Sequence, residues 1–484
     1  MRTEKNINNV SSPELRLIKY LHWIVTVLVF AWFWLRFRYP TGEWHVTRAF
    51  RYDIFVVLGY GILLAWLFKT YNAYTLGYFR IRVLAFSQFL GDFFGTIMIY
   101  FAVSIGWMQF HNPIAFLPML LMMAVWDCVW SYFANGFYYR IVQHYRTAVI
   151  YRNENDLRRF GDITGKPIER MFSVEKYICY DGDDYLDLFE QIEDCDAIFV
   201  AGVNPRLMNG LCKYCALNNI RGFFLPHIGD VIMCGAEHIK SFTTPVLSVR
   251  RARIPLEYAL FKRAFDFVVS LVGLIVLSPF MLLTAILIKS YDGGPVFYKQ
   301  VRLTKDGKEF KIIKFRSMRV DAEKDGVARL STGDKDPRIT PVGRFIRACR
   351  LDELPQLINI LRGDMSIVGP RPERPEIARE YEKILPEFSL RLQVKAGLTG
   401  YAQVYGKYNT NPYEKLEFDL LYINQMNIWT DLELMFNTVR ILFSKESTEG
   451  ITVNQVTAID YDNEKLRAET AAEVDEEYEE QGVN

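Results

Sequence analysis

The sequence predicts a membrane protein of the α+β class. A four-helix transmembrane bundle occupies 1–146, and a Rossmann-like α/β domain occupies 147–250. A C-terminal domain over 251–445 is opened by a re-entrant membrane helix at about 264–289, and an acidic tail fills 446–484. Three observations predict this order. Four apolar runs, near 17–36, 53–70, 83–107 and 116–136, approach or exceed the roughly 18–20 residues a helix needs to cross a bilayer. Short strand-like stretches then alternate with helical ones, as in a parallel sheet. A fifth apolar run is broken in its middle by Ser278-Pro279.

Half of the 484 residues are hydrophobic and 15% are aromatic, rich for a water-soluble enzyme. The net charge of +1 conceals a split, because the stretch from Glu446 onward holds twelve acids against two bases. The body is therefore basic, which suits an anionic ligand or a membrane surface, and the tail has the composition of a disordered segment. Seven scattered cysteines form no regular framework and read as reduced thiols in a cytoplasmic setting. Cys212 and Cys215 make a lone C-x-x-C without a second pair or a nearby histidine, so two small residues on a buried helix face are expected rather than zinc.

Arg2, Lys5, Arg16 and Lys19 precede or open the first span. Lys69, Arg80 and Arg82 lie between the second and third, and Arg140, Arg146 and Arg152 follow the fourth. By the positive-inside rule both ends of the bundle face the cytoplasm. The loop carrying Arg36, Arg38, Arg48 and Arg51 runs against this assignment. Asp92 and Asp127 fall within spans, where an acid is a functional candidate by default, with an interhelix hydrogen bond as the plainer reading.

Over 147–250, "TAVIY", "RMFSVEKYICY", "CDAIFVAG" and "RGFFLPHI" read as short buried strands. After the first comes "RNENDLRRF", where a dinucleotide site needs G-x-G-x-x-G, so ordinary dinucleotide binding is not expected and a regulatory or oligomerising role is. In the run 262–290, Pro279 removes an i→i−4 hydrogen bond and the Ser278 hydroxyl offers itself to the freed group. A segment that crossed would carry everything after it to the outside. A helix that enters and returns keeps the C-terminal domain in the cytoplasm, and a kinked fifth span is the plainer alternative.

From Pro295 to Phe443 there is no histidine, and Cys349 is the only thiol. Carboxylates are the remaining candidates, and "RLDELPQL" sets Asp352 beside Glu353. "PVGRFIRACR" reads as a basic amphipathic helix, and "LPQLINILRG" as a second one ending at Gly363, with Pro355 in its first turn. The pair then sits at a helix N-terminus, which favours carboxylate charge and equally a bound phosphate. Capping explains one acid but not the arginines around it: Arg302, Arg316, Arg319, Arg338, Arg344, Arg347, Arg371 and Arg374. A guanidinium fork matches phosphate oxygens, although a solvated basic face is the plainer alternative. A divalent metal would reconcile adjacent acids with an anionic substrate, and an aspartate can act as nucleophile in phosphoryl transfer. "SIVGPRPERPE" holds Arg371 in a proline-stiffened loop, and Gly397, Gly400 and Gly406 in "KAGLTGYAQVYG" permit close backbone approach to a ligand.

Five pieces in order resemble the bacterial sugar transferase family, the polyprenyl-phosphate hexose-1-phosphate transferases. They are "KRAFDFVVSLVGLIVLSPFM", "GPVFYKQVRLTKDGKEFKIIKFRSM", "DPRITPVGRFIRACRLDELPQLINILRGDMSIVGPRPE", "KAGLTGYAQV" and "NIWTDLELMFNTV". With four spans and an α/β module in front, the whole chain is similar to the large monotopic phosphoglycosyl transferases. The resemblance implies a re-entrant helix broken at Ser278 and Pro279, and an Asp352-Glu353 dyad. In that scheme Asp352 attacks the β-phosphate of a UDP-sugar, expels UMP and hands the sugar phosphate to undecaprenyl phosphate. It implies magnesium, with manganese as a substitute, held by Asp352 and Glu353, and Glu353 serving as metal ligand or in proton handling. It implies phosphate or uridine binding by Arg371, which the residue reading extends to Arg338, Arg344, Arg347 and Arg316. "NQMN" in "LLYINQMNIWTDLEL" departs from the more aromatic family stretch, which leaves Asp431 without an assigned role. The final helix, too short to span, is expected at the interface.

The expected function is initiation of a capsule or exopolysaccharide repeat at the bacterial cell membrane, compatible with a homodimer and with no nucleic-acid partner. Two rivals stay open: a sugar-nucleotide-modifying enzyme using the middle domain, and a non-catalytic scaffold for polysaccharide assembly. The sugar itself is not legible.

Overall fold

The computed structural model describes residues 13–38, 48–110, 112–141, 144–154, 156–157, 171–180, 182, 186–239, 244–320, 322, 336, 338–406 and 411–442. The acidic tail expected over 446–484 lies outside them. The chain forms two compact units, Met1–Pro226 and His227–Asn484. Among the described residues, five helices are long and apolar enough to cross a membrane.

The first unit opens with four of these, α1 (Pro13–Arg38), α2 (Arg48–Thr70), α3 (Ile81–Gly106) and α4 (Leu117–Ile141). Their polarity is inverted relative to a soluble helix. On α1 the exposed stripe is Leu17, Leu21, Ile24, Leu28 and Trp32, whereas His22, Thr26, Phe30 and Trp34 are buried. An apolar outside with polar groups inside is what packing in lipid calls for. His22 lies 3.1 Å from Asp127 on one ring nitrogen and 3.1 Å from the Tyr74 hydroxyl on the other. Trp34 Nε1 donates to Asp53 at 3.1 Å, and Ser131 donates to Gln88 at 3.0 Å. Asp127 thus makes the interhelix contact that the plainer reading expected, and Asp92 is buried beside it.

A parallel sheet follows, in the order β2-β1-β3-β4: β1 (Tyr145–Tyr151), β2 (Phe172–Cys179), β3 (Ala197–Ala201) and β4 (Arg221–Phe224). The central strands β1 and β3 are covered on both faces and are almost wholly buried, whereas β2 alternates half-buried and exposed residues as an edge strand does. Ala148, Ile150, Ile198 and Val200 pack with Leu188 of α5 (Leu186–Ile192) and with Leu207 and Leu211 of α6 (Pro205–Asn218). Tyr145, Val149, Phe172 and Phe199 face Trp130 and Tyr138 of α4. Of the C-x-x-C pair on α6, only Cys215 is buried; Cys212 is exposed.

The second unit starts with α7 (Ile228–Cys234) and a hairpin of β5 (Glu237–Ile239) and β6 (Val246–Ser248). Ile228 and Val231 join its core, and Asn424 donates to the Val231 carbonyl at 2.7 Å. Then comes α8 (Leu256–Asp292), a helix of 37 residues that continues through Pro279. The proline cannot donate to the Ile275 carbonyl, and Ser278 Oγ does so instead, at 2.7 Å. The same domain holds both ends of α8. Near the start, Arg263 donates to the Ile360 and Leu361 carbonyls at 2.6 and 2.7 Å, and Asp266 accepts from the Ile367 N–H at 3.1 Å. At the far end Asp292 pairs with Arg316, and Ile288 packs on Phe315 and Ile346. Between them Val272, Ile275, Val276, Phe280, Leu282 and Leu283 are exposed.

An antiparallel pair, β7 (Phe297–Leu303) and β8 (Glu309–Phe315), precedes α9 (Pro341–Ala348) and α10 (Gln356–Arg362). Strands β9 (Ser366–Val368) and β10 (Gly397–Thr399) pair in parallel, with α11 (Pro375–Ile384) between them. The chain continues through α12 (Tyr401–Val404), α13 (Pro412–Asn424) and α14 (Ile428–Leu442). One face of α14, with Asp431, Leu434 and Asn437, is buried in the domain, while Trp429 is exposed.

Candidate active site

Asp352 and Glu353 fall in a single 3₁₀ turn, Leu351–Glu353, between α9 and α10. Arg350, just before it, holds a left-handed backbone at φ 51°. A non-glycine residue there costs on the order of 1 kcal/mol or more, and such strain persists only where its surroundings impose it. Gly363 closes α10 at φ 91°, as the glycine expected after that helix.

Glu353 is the buried member of the pair. Its Oε1 accepts from Lys314 Nζ and from Arg371 Nη2, each at 2.9 Å, and Oε2 lies 3.8 Å from Arg350. Burial pushes Glu353 up, but Lys314, Arg371 and Arg350 together outweigh it and hold the carboxyl well below the usual range. Burial pulls Lys314 down, with Glu353 opposing. Asp352 moves the other way. Burial, and next the negative charge of Glu353, push it up to about 6 against the pull of Lys314, Arg347 and Arg371. Two adjacent acids therefore take different characters: one is a fixed anion, the other titrates near neutrality.

An open cleft lies at Glu353, lined by Arg302, Lys314, Gln356, Arg371 and Gly397, among others. Of the arginines singled out in the sequence, the structure brings Arg371 onto Glu353 and Arg347 into the field of Asp352. Two others spend their forks elsewhere. Arg338 pairs with Asp336 through contacts of 2.9 and 2.6 Å, and the buried Arg316 pairs with Asp292. Arg344 is exposed on α9. At Gly397 and Gly400 the close neighbour is the Gly369 backbone. A Cβ at Gly397 would lie 2.1 Å from Gly369 N, and one at Gly400 would lie 2.3 Å from Gly369 O.

Lys314 escaped the sequence reading, and Asp431 stands there without a role. In "EFKIIKF" Lys314 shares the strand face of Phe310 and Ile312, both buried, and a lysine on a buried face is the signal that could have found it. Asp431 accepts from Tyr258 at 2.7 Å, Lys262 at 2.7 Å and Tyr422 at 2.8 Å, which ties the entry of α8 to α13 and α14.

The bacterial sugar transferase family matches residues 257–445, which contain every one of these contacts. The chain is 36% identical over 258 residues to the UDP-glucose:undecaprenyl-phosphate glucose-1-phosphate transferase of Escherichia coli (strain K12), covering 52% of this chain and 53% of that one. It is 37% identical over 198 residues to the undecaprenyl-phosphate galactose phosphotransferase of Salmonella typhimurium, covering 38% and 41%. The chain thus spans about half the length of these relatives or less. The exopolysaccharide production protein PSS of Rhizobium leguminosarum bv. phaseoli is matched over 92% of its length at 42% identity, within 37% of this chain. A relative matched almost from end to end, together with the family match over 257–445, settles the affiliation: the chain belongs to the bacterial sugar transferase family.

Proposed function

We propose that the protein transfers a sugar 1-phosphate from a UDP-sugar to undecaprenyl phosphate, releasing UMP, through a phosphosugar bonded to Asp352. The observation that carries this reading is the division of the pair: a half-buried aspartate beside a glutamate locked as an anion by three cations. In the first step a carboxylate oxygen of Asp352 attacks the β-phosphorus of the donor. The bond from that phosphorus to the oxygen bridging the α-phosphate breaks, and UMP leaves with the electron pair. In the second step a phosphate oxygen of undecaprenyl phosphate attacks the same phosphorus and frees the Asp352 carboxylate. One phosphoanhydride replaces another, so little driving force is needed. Arg371 and Arg347 face the phosphates, and Lys314 and Arg350 keep Glu353 charged.

The lipid acceptor must reach this point from the bilayer. A straight helix of 37 residues would be about 55 Å long, against a hydrocarbon core of about 30 Å. If it crossed, its ends would lie on opposite sides, yet one domain grips both Asp266 and Asp292. That grip, with the exposed apolar middle, supports a helix bent at Ser278-Pro279 that enters one leaflet and returns. The four helices of the first unit, apolar outward, support a transmembrane bundle, and the basic flanks support a cytoplasmic face for the site. The exopolysaccharide name of the Rhizobium relative supports a role in starting such a polymer or a capsule.

Magnesium, or manganese in its place, fits the donor set in a limited way. Glu353 Oε1 is taken by Lys314 and Arg371, which leaves Oε2 and the Asp352 carboxylate. Among the described residues no cluster of three or more His, Cys, Asp or Glu is built to hold a metal alone. One or two carboxylates completed by substrate phosphates are what magnesium accepts. Bound there, it would neutralise charge on the phosphate oxygens.

The test is UMP release from a panel of UDP-sugars by purified protein with undecaprenyl phosphate. One donor is expected to turn over, and EDTA should abolish the reaction until magnesium is restored. No release with any donor, or full activity in excess EDTA, would count against the transfer reading or the metal respectively. The same assay reads the pH dependence. Asp352 must be ionised to attack, so single-turnover release should be level above about pH 6 and fall about tenfold per unit well below it. A rate that stays level through that range would remove Asp352 from the attack.

A further inference from the structure

The loop that carries Arg371 is held from behind with unusual completeness. Four consecutive carbonyls each accept from a different donor. Gly397 N–H reaches Pro370 O at 2.8 Å, and Arg391 Nη2 reaches Arg371 O at 2.8 Å. Arg302 Nη1 reaches Pro372 O at 3.0 Å, and Leu303 N–H reaches Glu373 O at 2.9 Å. The two side-chain donors differ in setting. Arg302 also bonds Gln300 at the cleft, whereas Arg391 is 3% exposed and lies inside the domain.

Arg391 is gripped by Asp419 and, more loosely, by Glu373, whose Oε1 lies 3.7 Å from Nη1. Its Nε and Nη2 donate to Asp419 Oδ2 at 2.9 and 2.7 Å, and Asp419, on α13, is 1% exposed. An ion pair buried this deeply is a poor stabiliser, since apolar residues of equal volume often serve as well or better. What an apolar pair could not do is donate to the Arg371 carbonyl. A narrow open groove runs along the loop, lined by Pro370, Arg371, Glu373, Phe388 and Arg391, among others. If Arg391 let go, the Arg371 carbonyl would lose its donor, and the guanidinium on the same residue would lose the anchor behind its 2.9 Å contact with Glu353.

We propose that Asp419 and Arg391 are positioning residues of the transfer reaction, acting through the backbone of Arg371 to fix its guanidinium at the carboxylate pair. This rests on the reading above that Arg371 faces the donor phosphates. Asp419 orients the Arg391 fork, the fork holds the carbonyl, and the carbonyl sets where the side chain on the same residue begins. Neither group touches substrate.

A double-mutant cycle on the full chain in lipid separates positioning from general stability, because residues acting in one line are not additive. Asp419→Asn keeps the shape and removes the charge. In the wild-type background it is expected to lower kcat/KM for the UDP-sugar by about 10- to 100-fold, the range that small misplacements cost. In an Arg371→Ala background the same change should cost less than about threefold. Arg391→Lys, which keeps the charge but not the fork, should repeat the pattern and serves if Asp419→Asn fails to fold. Equal losses in the two backgrounds, or no loss in either, would overturn the proposal while leaving the transfer reading intact. Unchanged turnover in Arg371→Ala alone would overturn the assignment of Arg371, and this inference with it.

Discussion

Asp352→Asn should lower turnover by about 10⁴-fold or more, the scale seen when a nucleophile is removed. The change is nearly isosteric, so the loss will not come from unfolding. Asp352 binds its proton more readily in the folded state than in the unfolded one, with a folded value of about 6 against about 3.9. Its ionisation therefore opposes folding above about pH 6, and that opposition fades as the pH falls. A neutral amide removes it, so the melting temperature of the variant should match or exceed that of the wild type at neutral pH. Incubation with donor alone supplies the second readout. Mass spectrometry of the peptide around position 352 should find a sugar-phosphate adduct in the wild type and none in the variant. Lipid product without an adduct at that peptide would end the covalent scheme.

Glu353→Gln should damage both stability and activity. It strands Lys314 and weakens the hold on Arg371, and leaving a buried charge without its partner costs about 3 kcal/mol. Activity should fall at least about 100-fold, because the cations that neutralised Glu353 now face Asp352 and the donor without their anion. The two effects are separable. Adding Lys314→Met removes the stranded ammonium, which should recover most of the lost melting temperature and none of the turnover. A Glu353→Gln protein as stable as the wild type would mean that the Lys314 pair is solvated, and the description of Glu353 as a buried, locked anion would be wrong.

Much of this was readable from residues alone, for physical reasons that differ by element. Helices α1 to α4 and α8 announce themselves because a bilayer demands a long apolar run whatever else the chain does. Strands β1 and β3 were visible as short apolar runs because both of their faces are covered, and β2 by its alternation of half-buried and exposed residues. The Asp352-Glu353 pair stood out because no histidine competes with it in that half of the chain. Partner choice was not readable. Arg316 and Arg338 look like phosphate ligands until the fold shows them paired with Asp292 and Asp336. Lys314 lies 39 positions before Glu353, and Asp419 lies 28 after Arg391, distances over which only tertiary structure decides who meets whom. The glycines of "KAGLTG" signalled tight quarters correctly but could not say that the neighbour is Gly369.

The outward apolar surface of α8 has a practical corollary. Because that helix belongs to the unit beginning at His227, trimming away the four leading helices will not yield a fragment that dissolves in plain buffer. Detergent, nanodisc or bicelle must accompany even the shortened enzyme, to cover the exposed apolar middle of α8.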